Sequence, residues 1–211
     1  MIIASLKKKG QNVEIVFENG TKILFDYRAI LDHGLRKNDE LDDDKINLLL
    51  SHSEQLHTKD SAFRFLSTRL HSSKELKDKL AKKGYTKSII NDVIEQLQQK
   101  QLLNDHEFAK AFVIEKFEKK KSGAVKIKSE LMKKGIDRQV IEIVISGLDQ
   151  TQSESNAYEL ISKKLKQIQR KETDKRKIKQ KLYSYLSSKG YKYDIIINSI
   201  NKLNLDSDVF E

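Results

Sequence analysis

The sequence predicts a mostly α-helical protein, an elongated tandem array of three-helix repeats with a small β-hairpin or meander at its N-terminus. Three observations carry that expectation: the absence of proline, a pattern of apolar residues recurring around three glycines, and a β-branched opening segment punctuated by Asn19-Gly20. Usage of about 5% would place roughly ten prolines in a chain this long, in turns and edges rather than helix interiors. None occurs among the 211 residues, which favours long helices over a sandwich or barrel.

The opening segment comes first. Val13 to Phe17 and Lys22 to Phe25 are rich in β-branched and aromatic residues and flank Asn19-Gly20, a strong hairpin signal. Ile2 to Leu6 adds a third strand, with Lys7 to Asn12 as the intervening turn. Helices are then expected over Tyr27 to Leu31 and Ile46 to Leu70, the second with a break considered near His57-Thr58. Asp42-Asp43-Asp44 precedes it and places negative charge at the positive end of the helix dipole. A metal site is the sharper reading of that run, but its spacing is not that of a calcium loop.

The repeats follow. When Gly84, Gly135 and Gly190 are aligned, Leu80, Leu131 and Leu186 stand four residues earlier, and Leu76, Ile127 and Leu182 eight residues earlier. After each glycine come Ile89-Ile90, Val140-Ile141 and Ile195-Ile196, then Ile94, Ile145 and Ile200, then Leu97, Leu148 and Leu203. Each unit thus reads as an apolar-striped helix, a glycine able to close it in the left-handed conformation, and a second striped helix. Ser72 with Glu75, and Asn104 with Glu107, read as capping boxes, while Thr86 and Asp137 sit where N-cap oxygens belong. In the third copy Lys192 stands there, and that helix is expected to start later, at Asp194. A further amphipathic segment precedes each hairpin: Ala62, Phe63, Leu66 and Leu70; Phe108, Ala109, Phe112 and Val113; Ala157, Leu160, Ile161 and Leu165. The predicted domains are 1–56, an N-terminal β-hairpin plus helical extension, then repeats at 57–103, 104–152 and 153–211.

The formal charge of +10 is local. Residues 163–192 carry twelve basic and two acidic side chains, and 109–138 carry ten and four. Acidic neighbours at i±4 are scarce around Lys175-Arg176-Lys177 and Lys179 to Lys181, so the field there is expected to survive and to favour phosphate or an acidic protein groove. The candidate partner or DNA contacts are Lys119, Lys120, Lys121, Lys126, Lys128, Lys133 and Lys134 in the middle repeat, and Lys175, Arg176, Lys179, Lys181, Lys189 and Lys192 in the last.

Several chemistries lack their residues. With no cysteine there is no disulfide, thiolate metal site or cysteine nucleophile, which fits a reducing compartment and points to the cytoplasm. The longest apolar run, Ala111 to Ile114, is far short of the roughly 20 residues that cross a bilayer, so no membrane is expected. The eight glycines form neither a Walker A loop nor a G-x-G-x-x-G turn. The five histidines, His33, His52, His57, His71 and His106, show no zinc-hydrolase spacing and read as scattered surface residues. The expectation is a protein that is not an enzyme, binds no metal or cofactor and is a monomer.

Ser72-Ser73-Lys74-Glu75-Leu76, Lys83-Gly84-Tyr85, Leu103-Asn104-Asp105, Phe108-Ala109, Gly123, Ile127, Glu130-Leu131, Lys134-Gly135-Ile136 and Lys189-Gly190-Tyr191 occur in an order and spacing that resemble the RecX regulatory protein family. The likeness covers roughly residues 60 to 205, and the β-containing extension is similar to that of longer members from Gram-positive bacteria. It implies three-helix repeats that bind the RecA recombinase filament on single-stranded DNA and restrain it. Two other functions stay open on the residues alone. One is a stand-alone nucleic-acid-binding protein that sets lysines on phosphates and stacks bases on Tyr183, Tyr185, Tyr191 and Tyr193. The other is a helical adaptor for an acidic protein partner.

Overall fold

Strands β1 (Ile3–Lys9), β2 (Asn12–Phe17) and β3 (Lys22–Asp26) pair antiparallel in that order in the computed structural model, which describes residues 1–205. The first strand runs further than expected. Lys7 and Lys8 lie opposite Glu14 and Val13, Lys9 bonds Glu14 at 2.6 Å, and only Gly10-Gln11 is left to turn, with Gly10 at φ +64°. In the second turn, Glu18 to Thr21, Gly20 donates to the Phe17 carbonyl and carries φ +84°.

Helix α1 (Tyr27–Asp32) follows, and α2 (Asp43–Leu66) runs unbroken through His57-Thr58. The Thr58 hydroxyl is absorbed within the helix by donating to the Glu54 carbonyl at 2.7 Å. α2 stops four residues before the expected Leu70 because the Ser67 and Thr68 hydroxyls bond back to the Arg64 and Phe65 carbonyls. Phe63 and Leu70, expected on the apolar face, are 47% and 54% exposed. At its start Asp42 accepts from the Lys45 amide at 2.7 Å, so the aspartate run serves as a cap. α3 (Ser73–Lys82) and α4 (Lys87–Gln99) complete a unit spanning Met1–Asn104. Ser72 Oγ caps α3 through the Glu75 amide, whereas Thr86 makes no side-chain cap bond and its own amide donates to Glu54.

Two cores share α2. Ile46 and Leu49 from its first half join Ile3, Ile15, Phe17 and Phe25 of the sheet, and Ala62 from its second half joins Leu76, Leu80 and the stripe of α4. Charge fastens the sheet to this helix. Asp26, fully buried, receives two bonds from the Arg28 guanidinium, which also grips Asp60 of α2 at 2.6 and 3.1 Å. Burial pushes the Asp26 carboxyl up, but the Arg28 hydrogen bonds and charge outweigh it and hold the carboxyl below its usual range.

The second unit begins at Asp105. It contains α5 (Asp105–Ile114), a π-helical turn (Glu115–Lys119), α6 (Ala124–Lys133), α7 (Arg138–Ser146), α8 (Gln150–Gln169), α9 (Lys175–Lys189) and α10 (Tyr193–Asn201). The π turn has no signal in the hydrophobic pattern. α10 starts one residue earlier than expected, with Lys192 as an N-cap that makes no side-chain cap bond. Residues 206–211, assigned to the third repeat, lie outside the described residues.

The repeat columns hold in three dimensions. Leu76, Leu80, Ile127, Leu131, Leu182 and Leu186 are all fully buried, and Gly84, Gly135 and Gly190 sit at φ +89°, +75° and +83°. A column of small residues, Ala62, Ala109 and Ala157, is fully buried as well. The second-helix stripe differs: it is buried in the first repeat and, save for half-covered Leu203, in the third, but in the middle repeat only Ile141 is, leaving Val140, Val144, Ile145 and Leu148 half-covered.

The last two repeats meet through main chain. Gly123 donates to the Lys189 carbonyl at 2.8 Å and Val125 to that of Gly190 at 3.1 Å, so the end of α9 satisfies free amides at the start of α6. A Cβ on Gly123 would lie 2.2 Å from the Gly190 oxygen, and one on Gly190 would lie 2.4 Å from the Lys126 amide nitrogen. Tyr191 reaches across to donate to the Lys121 carbonyl at 2.8 Å, and the buried Asn156 amide donates to that of Phe117 at 3.2 Å.

Candidate functional site

The sequence-predicted cations differ in their surroundings. Lys119 and Lys120, at the end of the π turn, and Lys133, Lys175, Arg176, Lys181 and Lys192 are exposed. Lys121, Lys128 and Lys181 form ion pairs. Lys121 pairs with Glu159, which also holds Lys163 at 2.8 Å, and the two ammonium groups pull the Glu159 carboxyl down to about 2. Lys128 pairs with Glu142, and Lys181, although exposed, bonds Glu172 at 2.9 Å. The i±4 count around Lys181 missed Glu172, which reaches it across the turn between α8 and α9. Lys126 and Lys179 are half-buried, and the main chain of Lys126 lies against Gly190.

The lysine before each repeat glycine covers an aromatic ring. Lys83 lies 5.6 Å from the Phe65 centroid, Lys134 5.7 and 5.3 Å from Phe108 and Phe112, and Lys189 5.6 Å from Tyr185. Recurrence in all three repeats gives Lys134 and Lys189 a cation–π role in the scaffold, whatever else they contact.

What the fold brings together is the basic end of the last repeat. Lys164, Arg170 and Lys171 from α8 and its following turn converge with Lys181 on a shallow basin of about 380 Å³. The first three were not singled out individually, although they lie within the charge excess of 163–192; the helical turn that points them together is not visible in a charge count. Beside them, Lys175-Arg176-Lys177 occupies the first turn of α9, where the dipole is already positive. Asp174 caps that turn through the Arg176 and Lys177 amides. Cations at a helix N-terminus cost stability locally and strengthen the field felt by an anion.

The tyrosines divide. Tyr191 is buried, with its hydroxyl bonded and its ionisation pushed up mainly by burial, so it offers no stacking face. Tyr185 lies half-buried between Lys164 and Lys189. Tyr183 and Tyr193 are exposed and meet edge-on with centroids 6.3 Å apart.

The histidines are not all scattered surface residues. His71 is 2% exposed and burial lowers its pKa, while His33 and His52 face each other at 3.4 Å. Asp26, His57 and Asp60 offer donor atoms within 4.8 Å of one another, but Arg28 already occupies both carboxylates, and a cation would have to displace it. Among the described residues no helix is long and apolar enough to cross a membrane.

Comparison with known proteins matches the three repeats to three family models, RecX first, second and third three-helix domain, over residues 59–97, 104–145 and 152–198. Regulatory protein RecX of Clostridium botulinum (strain Alaska E43 / Type E3) is 32% identical over 190 residues, covering 90% of this chain and 89% of its own length. That of Clostridium beijerinckii is 31% identical over 205 residues, covering 97% and 95%. A crystal structure of regulatory protein RecX shares the fold with a TM-score of 0.76 over 95% of this chain and 98% of that one, at 19% identity. Another, of RecX from Lactobacillus salivarius, has a TM-score of 0.64 at 27% identity, covering 72% and 97%.

Proposed function

Because the chain belongs to the RecX family of regulatory proteins, we propose that it binds the RecA recombinase filament on single-stranded DNA and restrains it. It acts by binding, in the cytoplasm, without catalysis or a cofactor.

The observation that carries this reading is the basic end of the last repeat. There the basin of Lys164, Arg170, Lys171 and Lys181 adjoins the cationic first turn of α9, with Ile178, Leu182 and Leu186 buried behind. A filament groove offers phosphate and acidic side chains to such a surface, and the attraction weakens as salt rises. For stand-alone base stacking, Tyr191 is buried and Tyr185 partly covered, which leaves Tyr183 and Tyr193 as the exposed rings. Lys119 and Lys120, exposed at the end of the π turn, are secondary candidates, because Lys121 and Lys128 are held by their own acids.

The test is the chain's effect on RecA's DNA-dependent ATP hydrolysis, with binding to bare single-stranded DNA measured across a salt series. Inhibition that disappears in a quadruple variant (Lys164→Glu, Arg170→Glu, Lys171→Glu, Arg176→Glu) of unchanged helicity is the expected result. Unchanged potency of that variant at moderate salt removes the assignment.

A further inference from the structure

Two exposed rings of the last repeat have no part in its core. Tyr183 on α9 and Tyr193 at the start of α10 are 37% and 68% exposed and meet edge-on, with centroids 6.3 Å apart. Elsewhere the repeats lay lysines over their rings: Lys79 and Lys83 over Phe65, Lys116 and Lys134 over Phe112, Lys164 and Lys189 over Tyr185. Among the described residues no cation lies over Tyr183 or Tyr193, although eight cations stand in the sequence from Lys175 to Leu205.

Internal repetition shows that this pair is a departure. Aligned on the repeat glycines, Tyr183 takes the place of Lys77 and Lys128, and Tyr193 that of Lys87 and Arg138. Ile197, one turn along α10 from Tyr193, takes the place of Asn91 and Glu142. In the middle repeat these positions adjoin, since the hydrogen bond from Lys128 lowers the Glu142 carboxyl and the charge of Arg138 adds to the effect. Three neighbouring positions that are polar in both sister repeats are therefore aromatic or aliphatic in the last. Apolar surface exposed at such positions is costly in water and marks a contact.

We infer that the corner between Tyr183 and Tyr193 stacks an unpaired base of single-stranded DNA. Edge-on rings cannot sandwich a base, but they form an L-shaped corner in which Tyr193, the more exposed, offers its face and Tyr183 closes the side. Charge chooses the occupant. Arg176 stands two turns before Tyr183 on the same face of α9, Lys192 immediately precedes Tyr193, and both are exposed. Asp194 is the only acid from Lys175 to Leu205. A cationic protein segment is repelled there and an apolar one gains nothing from the cations, whereas a single strand brings a phosphate and a π-face with every nucleotide. A duplex keeps its bases stacked inside and offers the corner no face. Every base has such a face, so the contact is indifferent to sequence. Resting on the function proposed above, the corner gives the chain a hold on the strand itself, separate in kind from the salt-sensitive basic basin.

The experiment compares the full chain on two labelled strands of about 16 nucleotides, oligo-dT and an abasic strand with the same phosphates. Wild type is expected to bind oligo-dT about tenfold more tightly than the abasic strand. Tyr183→Lys with Tyr193→Lys installs the residues of the first repeat at exposed positions and adds two positive charges, so charge and stacking move in opposite directions. That variant is expected to bind the abasic strand at least as well as wild type and to lose the preference for bases. Tyr183→Phe with Tyr193→Phe keeps both rings and is expected to keep the preference, and unchanged melting curves show that the variants are folded. Equal binding of wild type to the two strands overturns the corner, as does a preference that survives in the lysine variant. Binding to RecA without DNA that the lysine variant loses, with base preference intact, assigns the corner to a protein partner and overturns the inference. RecA's DNA-dependent ATP hydrolysis is read beside these. Wild type that restrains RecA without preferring bases loses this inference alone, and wild type that prefers bases without restraining RecA overturns the proposed function and leaves the corner standing.

Discussion

In the first unit the sheet is tied to the helices by side-chain charge, Arg28 gripping Asp26 and Asp60, whereas in the second unit the last two repeats meet through main chain, Gly123 against Gly190. The two devices differ in what can disturb them. A charged clamp tolerates small shifts of backbone but depends on protonation. A glycine-to-glycine contact is blind to pH and admits no additional atom. Gly84 and Gly190 sharpen the contrast: their place in the repeat and their φ are nearly the same, yet a Cβ at Gly84 meets nothing within 4 Å.

The largest expected effect is at the main-chain junction. Gly190→Ala combines left-handed strain with a collision against the Lys126 backbone and should cost about 3 to 5 kcal/mol in urea unfolding, among the largest single-residue losses. Gly123→Ala isolates the collision, because Gly123 has an ordinary φ of −74°. Gly84→Ala carries the strain alone and should cost about 1 kcal/mol. Equal losses at Gly84 and Gly190 would show that the α9–α6 contact contributes nothing.

Next comes the charged clamp. Arg28→Met leaves the buried Asp26 carboxylate without its main partner and should cost about 2 to 3 kcal/mol at neutral pH, less than a fully buried pair because Arg28 is partly exposed. Urea midpoints of wild type and variant measure it. No loss would mean that His57, 3.6 Å from Asp26, suffices.

Acid then separates the two junctions. The Asp26 carboxyl lies below its ordinary value of 3.8, so its stabilisation is complete above that pH and disappears as pH falls through the lower folded value. The gap between wild type and Arg28→Met should therefore close as pH drops below about 4, while that between wild type and Gly190→Ala should persist. A pH-independent Arg28 gap would refute the charge account. The smallest expected change is Lys83→Gln or Lys189→Gln, each removing a cation from an aromatic face and costing about 0.5 to 1 kcal/mol. A Lys189 loss well above that of Lys83 would show that its side chain also serves the junction.

Much of this architecture was legible because its rules are local. Leu76 and Leu80, four residues apart before a glycine, lie on one face of any helix they form, and the same spacing at Ile127 and Leu131, and at Leu182 and Leu186, made the repeat visible. The hairpin was legible at Asn19-Gly20, but the end of β1 was not, because its lysines are held in the strand by residues on β2. The candidate site was legible only as composition. A charge count found the excess in 163–192, yet could not tell Arg176, exposed on a first turn, from Lys189, laid over Tyr185, or Lys121, bound to Glu159.

The sequence by itself thus determined the helices, their apolar faces, the left-handed glycines and the region of positive charge, since periodicity, steric freedom at glycine and net charge act between near neighbours in the chain. Only the tertiary structure decided which lysines are engaged at home, that Gly190 is locked and Gly84 free, that Arg28 joins sheet to helix, and that Tyr183 and Tyr193 meet edge-on. The Arg28–Asp60 clamp, the Lys121–Glu159 pair and the Gly190 lock join residues about 30 to 70 positions apart, and such contacts depend on the path of the intervening chain, whose closure only the packed cores specify.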